Sequence, residues 1–253
     1  MSSITVDSVT HRFRSKRRDV VALENVSLEI EDSSFTCLVG ASGCGKSTLL
    51  NIMAGLVRNT AGSVSLDGKI VEGPGPERGM VFQSYALYPW LKVRDNIEFG
   101  LSLSGTSPKA RRHISENLLT ELNLVEFANS YPHELSGGMQ QRVAIARALA
   151  NEPKVLLMDE PFGALDALTR ASAQQFLTQL WSDHKRTIVF VTHDVEEALI
   201  LADRIVVLSP RPGRVREVVD VPFERPRTAA LTTSAEFGHA KERILNLIFE
   251  GSS

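Results

Sequence analysis

Polar and apolar positions alternate in the first part of the chain and then change period. Val26, Leu28 and Ile30 alternate with Ser27 and Glu29, the pattern of a half-buried strand. Ser63 to Val71 predicts a hairpin turning at Asp67-Gly68. Between them, Phe35-Thr-Cys-Leu-Val39 is a continuous apolar strand. A glycine-rich turn follows, and then Leu49, Leu50, Met53 and Leu56 stand at helical spacing. This opening region therefore reads as short strands around one strand, loop and helix. Over residues 84–150 the period becomes helical, with Ile114, Leu118, Leu122 and Val125 marking one helix and Val143, Ala146 and Ala150 another. Segments rich in Pro, Gly and Ser connect them, and the stretch reads as an inserted helical subdomain. Buried strands return at 155–158, 188–191 and 205–208, which predicts a parallel sheet wrapped by helices. Ser234 to Phe249 predicts a final amphipathic helix using Phe237, Ile244, Leu245 and Ile248. No internal repeat or low-complexity tract interrupts the pattern.

Composition narrows the class. The 253 residues are 43% apolar and 23% charged, values typical of soluble globular proteins with one or two domains. Lys plus Arg is 28 and Asp plus Glu 30, a net charge of −2 that argues against a general nucleic-acid binder while leaving room for a local basic patch. Cys37 and Cys44 are too few for a disulfide framework and suit a reducing compartment. The longest apolar runs fall far short of the roughly 20 residues of a membrane-crossing helix. No basic start with an apolar stretch after it marks a secretory signal. The expected location is the cytoplasm, with any work on a membrane done through partners.

Three segments carry chemistry. Gly40-Ala-Ser-Gly-Cys-Gly-Lys46-Ser47 matches the pattern G-x-x-x-x-G-K-[ST]. Its glycines let successive N–H groups turn toward one point, and the following helix adds the positive end of its dipole. Lys46 can reach the β- and γ-phosphates of a nucleotide, and the Ser47 hydroxyl can bind Mg²⁺. The alternative, a glycine-rich surface turn, lacks the strand before and the helix after that this sequence supplies. Val155-Leu-Leu-Met158 delivers Asp159 to a strand end, where its carboxylate can hold Mg²⁺. Glu160 can polarise an attacking water as general base, although in isolation the two carboxylates also fit a plain strand-end turn. Leu135-Ser-Gly-Gly-Met-Gln-Gln-Arg142 opens a helix with Ser136 as N-cap and two glycines exposing backbone donors, a second anion site. It has no lysine and no metal carboxylate of its own. That suits a terminus closing on another chain's nucleotide; by itself it also fits an ordinary glycine-started helix.

In the order phosphate loop, Gln83, Leu135-Ser-Gly-Gly-Met139, Asp159-Glu160, Ala164-Leu-Asp166 and His193, the sequence resembles the ATP-binding cassette (ABC) ATPases over residues 1–215. The resemblance implies an α/β fold: a P-loop NTPase core with an N-terminal antiparallel β subdomain and an inserted helical subdomain. Residues 1–83 and 151–215 would form the nucleotide-binding RecA-like core with its β subdomain. Residues 84–150 would form the helical signature subdomain, and 216–253 a short helical tail. ATP and Mg²⁺ are the implied cofactors. ATP would be bound by Phe13, Gly40, Ala41, Ser42, Gly43, Cys44, Gly45, Lys46, Ser47 and Thr48. Ser136, Gly137, Gly138 and Asp166 would act on the nucleotide of the opposite subunit. Glu160, His193 and Gln83 would be catalytic, and Ser47, Gln83 and Asp159 would face the metal.

Phe13 aligns with the aromatic that stacks on adenine, where the family usually has Tyr; the position could equally be core. The run Arg14-Ser-Lys-Arg-Arg18 beside it reads as a solvated loop or as added attraction for phosphate. Ala41 stands where many members have Pro, and Asp32-Ser-Ser34 replaces a common Gly-Glu turn; neither removes a catalytic group. Cys44 sits inside the loop, so its alkylation is expected to block nucleotide entry.

ATP hydrolysis serves importers, exporters and non-transport ABC proteins. Too few residues separate Ser47 from Ser136 for the long coiled-coil arms of DNA-repair members, and translation-type members carry two cassettes. Gln83-Ser-Tyr-Ala-Leu-Tyr-Pro-Trp-Leu91, Phe162-Gly-Ala-Leu-Asp-Ala-Leu-Thr-Arg170 and Leu208-Ser-Pro-Arg-Pro-Gly-Arg-Val215 look like the nitrate/sulfonate/taurine group of bacterial importer ATPases. The expected role is the energy-coupling ATPase subunit of such an importer, with an exporter subunit or a non-transport ATPase as alternatives. Implied partners are membrane-embedded permease subunits docking on residues 84–96, a second ATPase subunit (an identical copy or a paralogue), and indirectly a periplasmic or extracellular substrate-binding protein; no nucleic acid is expected. Tyr85, Tyr88 and Trp90 are candidate anchors for the permease or, in part, core residues. The implied location is the cytoplasmic face of the inner (plasma) membrane, peripherally bound.

Overall fold

The structure, a computed structural model, describes residues 2–14, 19–228 and 230–250. In chain order the first elements are β1 (Ile4–Arg14), β2 (Asp19–Ile30), β3 (Phe35–Gly40), α1 (Lys46–Met53), β4 (Ala61–Leu66) and β5 (Lys69–Ile70). The middle of the chain forms β6 (Arg78–Val81), α2 (Val93–Leu103), α3 (Pro108–Glu121), α4 (Gly137–Leu149), β7 (Val155–Asp159) and α5 (Ala167–His184). The last part forms β8 (Thr187–Val191), α6 (Val195–Leu201), β9 (Arg204–Leu208), β10 (Val215–Asp220) and α7 (Ala235–Phe249). These fall into two compact units, one of Met1–Gly75 with Asp183–Ser253 and the other of Pro76–Ser182. Among the described residues no helix is long and apolar enough to cross a membrane.

The first unit holds two sheets. One is antiparallel, in the order β2-β1-β4-β5. Its inward positions Ile4, Val6, Val9, Leu23, Val26 and Ile30 are almost fully buried. β1 and β2 are long strands rather than the short ones expected, and three register shifts bend their ladder. The β4–β5 hairpin turns at Asp67 (φ 51°) and Gly68 (φ 74°), both in the left-handed region that a two-residue hairpin of this kind requires. In the other sheet, β3 pairs in parallel with β8 and with β9, while β10 runs antiparallel to β9. Every residue of β3 and β8 is buried, the continuous run that a sheet covered on both faces demands. The sequence pattern assigns no strand beyond residue 208, so β10 is an addition: Val215-Arg-Glu-Val-Val-Asp220 lacks a clean apolar alternation.

Helix α1 ends sooner than its apolar spacing predicts. Gly55 takes φ 76°, its N–H donates to the Ile52 carbonyl, and the Leu56 N–H donates back to Asn51. This Schellman closure stops the helix and leaves Leu56 about half exposed. Helix α7 forms as predicted, with Ser234 as N-cap and Phe237, Ile244 and Ile248 buried; Leu245 is half-buried.

In the second unit β6 and β7 form a parallel pair. The intervening helices α2, α3 and α4 close around Val93, Ile97, Leu101, Leu119, Leu122 and Val143. Ile114 and Leu118 belong to α3, but Leu122 is its C-cap and Val125 lies in a short 3-10 turn, exposed. Asn123 at φ 55° breaks the periodicity there. Asn96 is fully buried yet satisfied: its Oδ1 accepts from the Tyr88 N–H, and its Nδ2 donates to the carbonyls of Tyr88, Leu91 and Lys92. One buried amide thus shapes the 88–92 turn.

Candidate nucleotide site

The phosphate loop lies in the first unit, between β3 and α1. A Cβ on Gly40 would stand 2.8 Å from the Leu208 carbonyl oxygen, so β3 can leave the sheet here only as glycine. Gly43 (φ 72°) and Gly45 (φ 109°) turn the loop, and a Cβ on Gly45 would meet Leu23 Cδ2 at 2.7 Å. Gly45 is the N-cap of α1, no side chain caps that terminus, and no acidic residue occupies its first turn. The amides that open the helix are therefore arranged for an anion. Lys46 is buried, and its Nζ donates to the carbonyls of Gly40 (2.8 Å) and Ala41 (3.1 Å), which hold the ammonium over the loop. Ser47 and Thr48 follow on α1, half-buried, and Ser42 is exposed.

Cys44 is 1% exposed, so alkylation requires the loop to open first. Cys37, fully buried on β3, has its thiol pushed well up by burial, with Glu197 adding to the shift.

Phe13, next to the end of β1, is half exposed, with its ring edge-to-face on His11 at 4.5 Å. That removes the core reading and leaves a ring open on one side. Of the basic run beside it, residues 15–18 lie outside the described residues. His193 is exposed between β8 and α6. Next to it Asp194 caps α6, accepting from the N–H groups of Glu196 and Glu197.

The second unit gathers the remaining residues in two places. Asp159 ends β7, half-buried, and Glu160 follows at φ 42°. Gln83 Nε2 donates to Glu160 Oε2 at 3.4 Å, so these two lie within reach of each other. The other place is a cleft of about 380 Å³ whose lining includes Ser136, Gly138, Arg142, Thr169 and Ser172. Ser136 is the N-cap of α4, with its Oγ accepting from the Met139 N–H, as expected from the sequence. Gly137 is exposed beside it, and a Cβ on Gly138 would stand 2.7 Å from Thr169 Cγ2, so glycine lets α4 approach α5.

Asp166 sits at the start of α5. Its Oδ1 accepts from the N–H groups of Leu168 and Thr169, and its Oδ2 from the Thr169 hydroxyl at 2.6 Å. The hydroxyl, followed by the amides, holds this carboxyl below its ordinary value.

Three functional arrangements escaped sequence reasoning. Arg147 on α4 donates to the Ala86 (2.6 Å) and Tyr85 (2.9 Å) carbonyls and lies over the Tyr88 ring. Arg211 donates to the Gly43 carbonyl of the phosphate loop. The third is the capping role of Asp166, for which the Asp-x-x-Thr spacing was the available signal. Among the three candidate aromatic anchors, only Trp90 is exposed; Tyr88 is half-buried against Phe99 and Trp90, and Tyr85 is buried.

Residues 23–163 match the model of a family described as ABC transporter. The chain is 47% identical over 251 residues to the nitrate import ATP-binding protein NrtD of Synechocystis sp., covering 97% of this chain and 94% of that one. It is 44% identical over 255 residues to the taurine import ATP-binding protein TauB of Roseobacter denitrificans, covering 99% and 95% respectively. Among solved structures, the dimeric bacterial ABC transporter cassette MJ0796 superposes with a TM-score of 0.76 at 35% identity, over 87% of this chain and all of that one. A post-hydrolysis state of the same cassette, bound to ADP and Pi, superposes at 0.75 with 34% identity and the same coverage. With a phosphate loop, a strand-end carboxylate pair and a serine-capped glycine helix in the order of that family, the chain belongs to the ABC transporter family, as one of its ATP-hydrolysing cassettes.

Proposed function

We propose that this chain is the energy-coupling ATPase subunit of a bacterial importer for a small anion or organic acid of the nitrate, sulfonate or taurine type. The observation that carries the reading is similarity along nearly the whole chain to two import ATP-binding proteins, one for nitrate and one for taurine. Two copies pair through an isologous interface, in line with the dimeric cassette it superposes on. The copies act beneath membrane permease subunits, on the cytoplasmic face, and segment 84–96 is the docking face. There the exposed Trp90 is the natural anchor, while the buried Tyr85 and Asn96 shape the segment from below.

In this reading Gly40 to Thr48 receive the phosphates of ATP through their amides and Lys46, and the open face of Phe13 stacks the base. Ser47, Gln83 and Asp159 offer hard oxygen donors that suit Mg²⁺, which neutralises phosphate charge when bound. Glu160 accepts a proton from the attacking water as its oxygen bonds to the γ-phosphorus. The bond from that phosphorus to the β–γ bridging oxygen breaks, and ADP and phosphate leave. Gln83, hydrogen-bonded to Glu160, holds that carboxylate and the water in register. His193 stabilises charge on the γ-phosphoryl oxygens. Ser136, Gly137, Gly138 and Asp166 close on the nucleotide of the partner copy.

Glu160→Gln is expected to cut turnover by about 10²–10⁴ while leaving ATP binding intact, measured by steady-state hydrolysis and nucleotide titration. Near-normal turnover would remove Glu160 as the base. The same variant, tagged and recovered with ATP from detergent-solubilised native membranes, is expected to bring down polytopic permease chains. Recovery only as an ATP-bound dimer would overturn the transport reading.

A further inference from the structure

The segment Leu208-Ser-Pro-Arg-Pro-Gly-Arg-Val215 has had no part in the chemistry so far. It joins β9 to β10 and closes on itself. The Ser209 N–H donates to the Arg214 carbonyl, the Arg214 N–H donates to Ser209 Oγ, and that hydroxyl shares its one proton between the carbonyls of Pro210 and Pro212, all within 3.1 Å. The two prolines fix φ and contribute no N–H of their own, so the loop is stiff.

This stiff loop grips two other elements of the same unit. The Gly213 N–H donates to the Ala22 carbonyl, and the Gly213 carbonyl accepts from the Glu24 N–H, both on β2. Gly213 also lies against the phosphate loop so closely that a Cβ there would stand 2.1 Å from the Cys44 carbonyl oxygen. Arg211 Nε and Nη2 both donate to the Gly43 carbonyl, at 3.2 and 3.1 Å.

The Gly43 carbonyl and the Cys44 N–H belong to one peptide plane. The Cys44 N–H donates to the Ala41 carbonyl at 3.2 Å, and Arg211 holds the other end. That plane lies between the Cα atoms of Gly43, at positive φ, and Cys44, and the glycine on its N-terminal side gives it freedom to rotate. Rotation would swing the Gly43 carbonyl away from Arg211 and set a partial negative charge where the loop collects amide donors. Arg211 opposes that rotation.

We propose that Arg211 is a positioning residue: it pins the Gly43–Cys44 peptide and so keeps the phosphate loop in its anion-accepting form. Its loss weakens nucleotide binding without touching the groups that cleave bound ATP. The inference rests on the reading of Gly40–Thr48 as the nucleotide loop.

The test titrates the full chain with Mg-ATP and follows hydrolysis in Arg211→Ala, Arg211→Lys and, as a control on the loop, Lys46→Ala. Arg211→Ala is expected to raise Kd and KM together by about ten-fold, the low end for bonds from a charged donor, with kcat at saturating ATP unchanged. Because the residue is exposed, the melting temperature without nucleotide stays within about 2 °C. Arg211→Lys, with one donor in place of a fork, recovers part of the affinity. Unchanged affinity in Arg211→Ala, with binding lost in Lys46→Ala, overturns the inference and leaves the loop reading standing. Full binding in Lys46→Ala overturns the loop reading itself. A large fall in melting temperature, or full recovery in Arg211→Lys that disappears at high salt, also overturns the inference, since stability or charge alone would then be the cause.

Discussion

Asp166 caps its own helix at a place where the proposed function also sets it beside the partner copy's nucleotide. As the cap of α5 it takes two amides and a hydroxyl, and the Thr169 hydroxyl is the largest cause of its depressed pKa. A carboxyl lowered in the folded state contributes stability that is present above its unfolded pKa and is lost as pH falls through the folded value. Thr169→Val is therefore expected to move the Asp166 pKa upward while the two amides still hold it below the ordinary range. Carboxyl-carbon NMR titration reads this directly, and an unmoved pKa would remove the hydroxyl as the cause. Loop glycines are the complementary case. Gly40 and Gly45 were visible as motif letters, whereas the atoms that forbid a side chain there, Leu208 and Leu23, come from distant segments that no local pattern names.

At the scale of elements, α4 joins two features that the sequence presents separately. Its N-terminus carries Ser136 and its far end carries Arg147, whose guanidinium holds residues 85 and 86 in left-handed conformations (φ 60° and 47°) that non-glycine residues rarely adopt. Burial lowers the pKa of that guanidinium. Arg147→Ala leaves two carbonyls without this donor and is expected to cost about 1–3 kcal/mol. Amide exchange is expected to quicken across 85–91 while the middle of α4 stays protected; exchange unchanged in that segment would mean Arg147 does not hold it.

Elements with an unbroken run of buried residues, such as β3 and β8, or a strong helical period, such as α7, were legible because burial alone dictates their residues. The end of α1 at Gly55, the 3-10 turn at Val125 and strand β10 were not. Each is decided by a backbone closure or by a partner strand. Arg147 and Arg211 stayed hidden for a related reason: an arginine bonding to a carbonyl leaves no mark in the identity of its partner.

For the whole molecule, the proposed function sets an order of events at two helix termini. The N-terminus of α1 has a lysine, whereas the Ser136 terminus on α4 has none, so under the proposed function the second terminus acts on a nucleotide that the first already holds. Ser136→Arg places a large cation at that terminus. It is expected to leave ATP binding by the isolated chain unchanged and to abolish hydrolysis, checked by titration beside a turnover assay. Loss of binding by the single chain would contradict the cross-subunit role.

The discontinuity of the first unit bears on how the protein is made. β3 finds its parallel neighbours β8 and β9 only beyond residue 186, and the Arg211 grip on the loop comes later still. On a ribosome, the phosphate loop therefore emerges long before the strands that will flank it. The continuous stretch Pro76–Ser182 can settle first, while a strand of mostly apolar residues waits with both edges open to wrong partners. Nascent chains halted before β9 should be the ones chaperones hold, and ATP can begin to help the fold only once the last third has been synthesised.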